Sequence, residues 1–297
     1  MSKPIRPSIV GLGEVLWDLL PSGKVLGGAP FNFTFHCHQL GQSAVMVSRV
    51  GRDETGQQIR DAMRDHGLDD SFIQDDSEHP TGTVGVELDS SGQPSFTIHP
   101  GAWDYLAWDS RLEALLGQAH AVCFGTLIQR NAGARATVHR ALRAAQNALI
   151  VYDVNLRGDF FTREVLEESL HASRWVKLND GELAVLKTMF DLAGTSESAI
   201  VAHLRQRFGA ELVALTRGEH GCLVQTADEE VAINGVRVQV VDAIGAGDAF
   251  TAGLVCAVLE GLSVANAARF ANRLAACVAA RAGGTPRLKR AEIECMQ

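Results

Sequence analysis

Residues 240–255, VVDAIGAGDAFTAGLV, place an aspartate inside a glycine-rich turn that runs straight into an apolar, helix-forming segment. Gly245, Ala246 and Gly247 are small enough for the backbone to bend tightly and to come close to something bulky. The run from Ala249 to Leu259 has helical spacing, with Phe250, Leu254 and Val258 on one stripe. Asp248 is therefore expected at a helix N-terminus, where unpaired N–H groups and a partial positive charge make an anion site that also suits a carboxylate. Two readings are open here. The carboxylate only favours the helix start, worth up to about 1 kcal/mol, or the amides hold a phosphate while Asp248 takes a proton from the group attacking it.

Outward from this turn, β-like and helical runs alternate. PSIVGLGEVLWDLL, a glycine-containing loop, NFTFHCHQLG, AVMVSRVG and ETGQQIRDAMRDHG open the chain in an order that suggests parallel strands joined by helices. Between residues 80 and 104 the texture changes: TGTVGVELDSSGQPSFTIHP has two alternating runs around DSSGQP, a hairpin of a smaller sheet. Alternation resumes with AVCFGTL, AGARATVHRALRAAQ, ALIVYDVNLR, WVKLND and ELVALTRGEHG, and GCLVQTADEEVAING reads as a second hairpin. Two long helical segments close the chain, the second running from an N-cap at Ser263 to about Gly283. With no repeat, low-complexity tract or linker, residues 1–297 read as one α/β domain with a small β insertion.

Composition excludes several classes. The 297 residues are 46% hydrophobic and 21% charged, as in a globular enzyme. The net charge of −8, with scattered basic residues, argues against a nucleic-acid partner. The compact basic group RLKR at 287–290 reads as a solvated tail. Cys37, Cys123, Cys222, Cys256, Cys277 and Cys295 show no CxxC pairing and read as reduced core residues of a cytoplasmic protein. No apolar stretch approaches a membrane span and no export signal is visible, so no membrane partner is expected.

Generic phosphate and metal motifs fail. GRDETGQQ has a P-loop's glycine spacing at 51 and 56, but Gln57 stands where the lysine would be. GLGEVL lacks the third glycine of a dinucleotide fingerprint. His36 and His38, two apart, would not share a helix face and make a poor zinc site. Other clusters mean more together than apart. Asp18 and the LGGAPFN loop with Asn32 suit hydrogen bonding to a polyol. Asn179 and Glu182 in KLNDGELAVL either hold Mg²⁺ through water or merely cap a helix. Thr216, Gly218 and Gly221 in LTRGEHG either meet a nucleotide or form a plain turn.

With the glycine pair and Asn32 early, NDGE in the middle, TRG later and DAIGAGDAF near the end, the chain resembles the ribokinase-like (PfkB-type) carbohydrate kinases over nearly its whole length. RVGRDETGQQI is similar to a segment these kinases carry. GEVLWDLLP, LGGAPFN, AWD at 102–104, FGTLIQR and YDVNLR look most like the bacterial fructokinase branch. The resemblance implies a three-layer α/β/α sandwich with a small β lid from segments around 14–34 and 80–103, and pairing of lids into a homodimer. It implies ATP and Mg²⁺, with a phosphoryl group passing to a sugar hydroxyl. Asp248 matches the catalytic base, and Gly245, Ala246 and Gly247 the anion hole. Asp18, Gly28 and Asn32 match sugar-binding positions, with Arg157 a charge partner for substrate or γ-phosphate. Asn179 and Glu182 match the pair that organises Mg²⁺, and Thr216, Gly218, Gly221 and Asn272 match nucleotide positions. Asp242, with the backbone near Ile244 and Gly283, could supply ligands to K⁺.

Proton loss late in a loose transition state makes the lowered pKa expected for Asp248 at a helix N-terminus compatible with its role. Two departures stand out. Ala243 occupies a place where many relatives carry threonine, and Phe31 a place where fructokinase-like chains have a small residue, so its ring could narrow the sugar pocket. The expected activity is an ATP-dependent sugar kinase, foremost a fructokinase. Kinases for 2-keto-3-deoxygluconate, ribose or a nucleoside, and a catalytically silent sugar-binding or regulatory protein, are the alternatives.

Overall fold

Short apolar runs buried on both faces, joined by amphipathic helices, can bury their surfaces together only as a layered α/β structure. The computed structural model describes residues 8–20, 23–88 and 94–296. In chain order it has β1 (Ser8–Leu12), β2 (Leu16–Leu20), β3 (Gly23–Gly27), α1 (Ala29–Gln39), β4 (Ser43–Gly51), α2 (Glu54–Asp65), β5 (Ile73–Asp76), β6 (Thr83–Leu88) and β7 (Pro94–Ile98). Then come α3 (Ser110–Gly117), β8 (Ala121–Gly125), α4 (Ala132–Ala144), β9 (Leu149–Asp153), α5 (Arg163–Ala172), β10 (Trp175–Asn179), α6 (Asp180–Met189) and α7 (Glu197–Phe208). The chain ends with β11 (Leu212–Thr216), β12 (Cys222–Gln225), β13 (Glu230–Ile233), α8 (Ala246–Leu259), α9 (Val264–Ala279) and α10 (Arg290–Glu294).

A nine-stranded sheet in the order β13-β12-β11-β10-β9-β8-β1-β4-β5 forms the middle layer. It is parallel from β5 to β11, and β12 and β13 add an antiparallel edge. One face is covered by α3 to α7, through Leu116, Val138, Leu166, Leu186 and Leu204. The other is covered by α1, α8 and α9, through Phe33, Phe250, Leu254 and Leu274. This is the expected three-layer sandwich. A second sheet, β3-β2-β6-β7, is the lid.

The structure corrects three boundaries. The lid takes less of the chain than 14–34 and 80–103, because Ala29 starts α1, whose Phe31 and Phe33 are core, and Trp103 is fully buried. Helix α9 stops at Ala279, short of Gly283, which sits in the following loop at φ 79°. The predicted hairpin of β6 and β7 is present, while its turn, DSSGQP, begins outside the described residues.

Candidate active site

In a mostly parallel sheet, ligands gather at the carboxyl ends of the strands, where the helices that follow begin. Here a cleft of about 1600 Å³ opens at that edge, between the main sheet and the lid. Asp153, Asn179 and Thr216 are the last residues of β9, β10 and β11. Asn179 and Thr216 line the cleft, as does the start of α8.

Gly245 caps α8 with a left-handed backbone, φ 75°, and no side-chain cap; Ala246 N donates to the Ala243 carbonyl at 3.3 Å, and Gly245, Ala246 and Gly247 line the cleft. Asp248 is the third residue of α8 and is 9% exposed. Its Oδ2 accepts a hydrogen bond of 2.8 Å from Asn32 Nδ2, which joins the first turn of α1 to that of α8, 216 residues later. The expected lowering of its pKa does not hold. Burial pushes the Asp248 carboxyl up to about 6, helped by the Asp153 charge, while Lys177, Asn32 and Arg157 pull it down. Desolvation outweighs the helix N-terminus.

One end of the cleft is rich in carboxyl groups. Asp18 on β2, Gly28, Asn32 and Arg157 all line the cleft, as does Glu14, which sequence reasoning passed over. Burial raises Glu14 to about 7 against the pull of backbone N–H groups and Arg157. Burial likewise raises Asp18 to about 6, again against Arg157. Glu14 Oε2 and Asn32 Oδ1 are buried without a hydrogen-bond partner. Orphaned acceptors at the wall of a cleft are what a polyol's hydroxyls would satisfy. Gly28 turns at φ 108° against the Glu14 carbonyl, where a side chain has no room.

At the other end, Thr216, Gly218, Gly221 and Asn272 also line the cleft. Asn272 on α9 donates to the Asn234 carbonyl at 2.9 Å, fixing its amide at the wall. Asn179 and Glu182 form a reciprocal cap of α6: each backbone N–H meets the other's side-chain oxygen at 2.8 Å. Glu182 Oε1 also accepts from Leu156 N at 3.0 Å. Both carboxylate oxygens are therefore engaged, and Glu182, 6% exposed, does not line the cleft, so that of the pair only Asn179 reaches it. Among the described residues no group of three or more His, Cys, Asp or Glu could hold a metal. Asp242 bridges two loops, accepting from Ile244 N at 2.9 Å and Gly283 N at 3.0 Å, so the residues named for K⁺ come together.

Several side chains stand elsewhere than expected or were missed. Phe31 does not narrow the pocket: it is 0% exposed and packs beneath the lid root with Val15, Trp17 and Phe35. Cys295 is exposed, unlike the other five cysteines, and all six are free. His36 is buried, with Nε2 donating to the Gly284 carbonyl at 2.9 Å and Nδ1 accepting from Gln39 Nε2 at 2.6 Å. Its role is to hold the Gly284 segment that packs against Gly245 and Asn32. Lys177 and Asp153, an ion pair of 3.1 Å, lie beside Asp248, and the signal was present as charges inside the apolar runs WVKLND and ALIVYDVNLR.

Comparison with known proteins agrees with this arrangement. The family model "pfkB family carbohydrate kinase" matches residues 22–290. Among curated relatives, a fructokinase of Salmonella typhimurium is 32% identical over 258 residues, covering 82% of each chain. A solved structure of an uncharacterized sugar kinase from Pyrococcus horikoshii, in complex with ATP, superposes with TM-score 0.79 at 27% identity over 96% of each chain. A fructokinase from Xylella fastidiosa with bound ATP shares the fold, with TM-score 0.86 at 24% identity over 97% of each chain. An acidic, orphan-lined pocket facing an aspartate at a glycine-capped helix start thus has its explanation in descent, for the chain belongs to the pfkB family of carbohydrate kinases.

Proposed function

We propose that this ATP-dependent sugar kinase phosphorylates a primary hydroxyl of fructose, with Asp248 as the base. The observation that carries it is the Asn32–Asp248 hydrogen bond, which brings the start of α1, after the glycine pair, against the start of α8, after the GAG turn. Asp18, Gly28, Asn32 and the orphaned Glu14 Oε2 hold the polyol, and Arg157 faces these carboxyls as their counter-charge. Asp248 accepts the hydroxyl proton as the oxygen attacks the γ-phosphoryl group, and the amides of Gly245, Ala246 and Gly247 take up its charge. Thr216, Gly218, Gly221 and Asn272 form the nucleotide wall. Closure of the lid excludes water, which would otherwise receive the phosphoryl group.

Mg²⁺ arriving with ATP would neutralise the phosphate oxygens, with Asn179 at the cleft wall meeting its waters and Glu182 behind it fixing the start of α6. A K⁺ ion beside Asp242, Ile244 and Gly283 would brace the same turn. The carboxyl groups of Glu14 and Asp18 disfavour an acidic sugar such as 2-keto-3-deoxygluconate, with Arg157 the basic side chain that acts on both of them. The partner is a second copy of this chain, joined through the lid. Its place is the cytoplasm, where ATP is supplied and buried free thiols persist; recovery from a secreted fraction would overturn that placement.

The test is ADP release with Mg·ATP over fructose, ribose, glucose, 2-keto-3-deoxygluconate and adenosine, with the product identified by ³¹P NMR. The highest kcat/KM is expected for fructose, with a phosphomonoester on a primary carbon. Preference for another acceptor, or sugar binding without turnover, would overturn the reading.

A further inference from the structure

Lys177 lies on β10 in register with Asp153 on β9, both side chains 8% exposed. The strand around it, Trp175 to Leu178, is otherwise apolar and buried. Its ammonium meets Asp153 Oδ1 at 3.1 Å, while Asp153 Oδ2 accepts from Thr251 Oγ1 at 2.9 Å. Thr251 sits on α8 and is also bonded to the Gly247 carbonyl, at 3.1 Å. A Cβ placed on Gly247 would stand 2.8 Å from Lys177 Nζ, so the ammonium lies directly against the anion-binding turn. Lys177 also lines the cleft. A buried ion pair is a weak source of stability, and apolar residues of similar volume often do as well. Stability therefore gives no reason for a lysine at this point of the strand.

We propose that Lys177, fixed by Asp153, is a further catalytic residue: its ammonium is the positive charge that meets the phosphoryl group in transfer beneath the Gly245–Gly247 turn. This rests on the kinase reading and adds to it a side chain that the turn's amides alone do not supply. The ammonium keeps its proton throughout. Burial works against its charge, yet the carboxylates of Asp153, Glu182 and Asp248 hold its pKa above the ordinary lysine value. The bond formed is sugar oxygen to γ-phosphorus and the bond broken is γ-phosphorus to the bridging oxygen of ADP, with the hydroxyl proton going to Asp248.

The test compares wild type, Lys177→Met, and the double variant Lys177→Met with Asp153→Asn. Readouts are kcat, thermal midpoint, and the Kd values of Mg·ADP alone and of Mg·ADP with aluminium fluoride and the sugar. The single variant leaves Asp153 buried and unpaired, so it should melt lower. The double variant leaves neither charge and should recover the midpoint. If Lys177 serves the reaction, both variants lose kcat by roughly 10²–10³-fold. The fluoride complex weakens in parallel, and Mg·ADP alone keeps its Kd. A double variant that regains turnover along with its midpoint would show a purely structural pair and overturn the proposal. So would equal losses of ADP and fluoride-complex affinity. If Lys177→Met does not fold, the double variant alone decides between these outcomes. No turnover by wild type on any sugar would sink the kinase reading itself, a result distinct from a failure of Lys177.

Discussion

At Asp248, two physical effects oppose one another. The helix start favours the carboxylate, by at most about 1 kcal/mol at an exposed site. Burial beside Asp153 disfavours it, and wins, so that the group rests at about 6. A base works only when ionised, so kcat/KM should fall tenfold per pH unit as the pH drops below about 6. Asn32 donates to the ionised form, so Asn32→Ala should move that acid limb to higher pH. A pH–rate profile of both proteins checks this. A wild-type limb in the ordinary carboxylate range, or a shift to lower pH in the variant, would contradict it. Asp248 could be located from its glycine-flanked position in the sequence. Its proton affinity could not, because that depends on burial and on Asp153 and Lys177, brought beside it from β9 and β10.

Among the elements, α8 shows what periodicity can reveal. The stripe of Phe250 and Leu254 predicted a helix correctly, but every residue from Asp248 to Ala257 is buried, because α8 is sandwiched between the sheet, α1 and α9. Of the four strands in the small sheet, β6 and β7 were legible from their alternation, whereas β3 reads as a glycine-containing loop and the anchorage was not legible at all. GRDETGQQ, which fails as a P-loop, is the joint: Asp53 caps α2 through Gly56 N at 2.7 Å and accepts from Thr81 N at 2.8 Å and Thr81 Oγ1 at 2.7 Å. Burial would raise the Asp53 carboxyl, but those donors and Thr55 bring it down to about 2. The lid itself is an open four-stranded sheet whose Leu19 is 42% exposed, and open sheets with exposed apolar residues invite pairing. Sedimentation should show a dimer at assay concentrations, and Leu19→Glu should shift it toward monomer. A wild-type monomer would refute pairing through the lid.

For the molecule as a whole, parallel strands joined by helices follow from alternating β-like and helical runs, the three layers were implied by the family resemblance, and the strand order came from the structure. The site is harder to read, since it joins Asp18, Asn32, Asp153, Lys177 and Asp248, residues far apart in the chain. Asn32 and Asp248 were marked by nearby glycines and Asp18 by the family resemblance, while Asp153 and Lys177 were left out, because a charge inside a buried strand of the main sheet looked like an interruption of the core. The most direct measurement is kcat of wild type and Asp248→Asn at saturating Mg·ATP and sugar, alongside their melting at pH 8. Because the folded-state pKa of Asp248 is raised, the stability tied to its protonated form is present below its ordinary value of 3.8 and lost as pH rises through about 6. Asparagine should therefore melt no lower than aspartate at that pH, while kcat falls by roughly 10²–10⁴-fold. An Asn variant that is fully folded and turns over like wild type would contradict the assignment of Asp248 as the base.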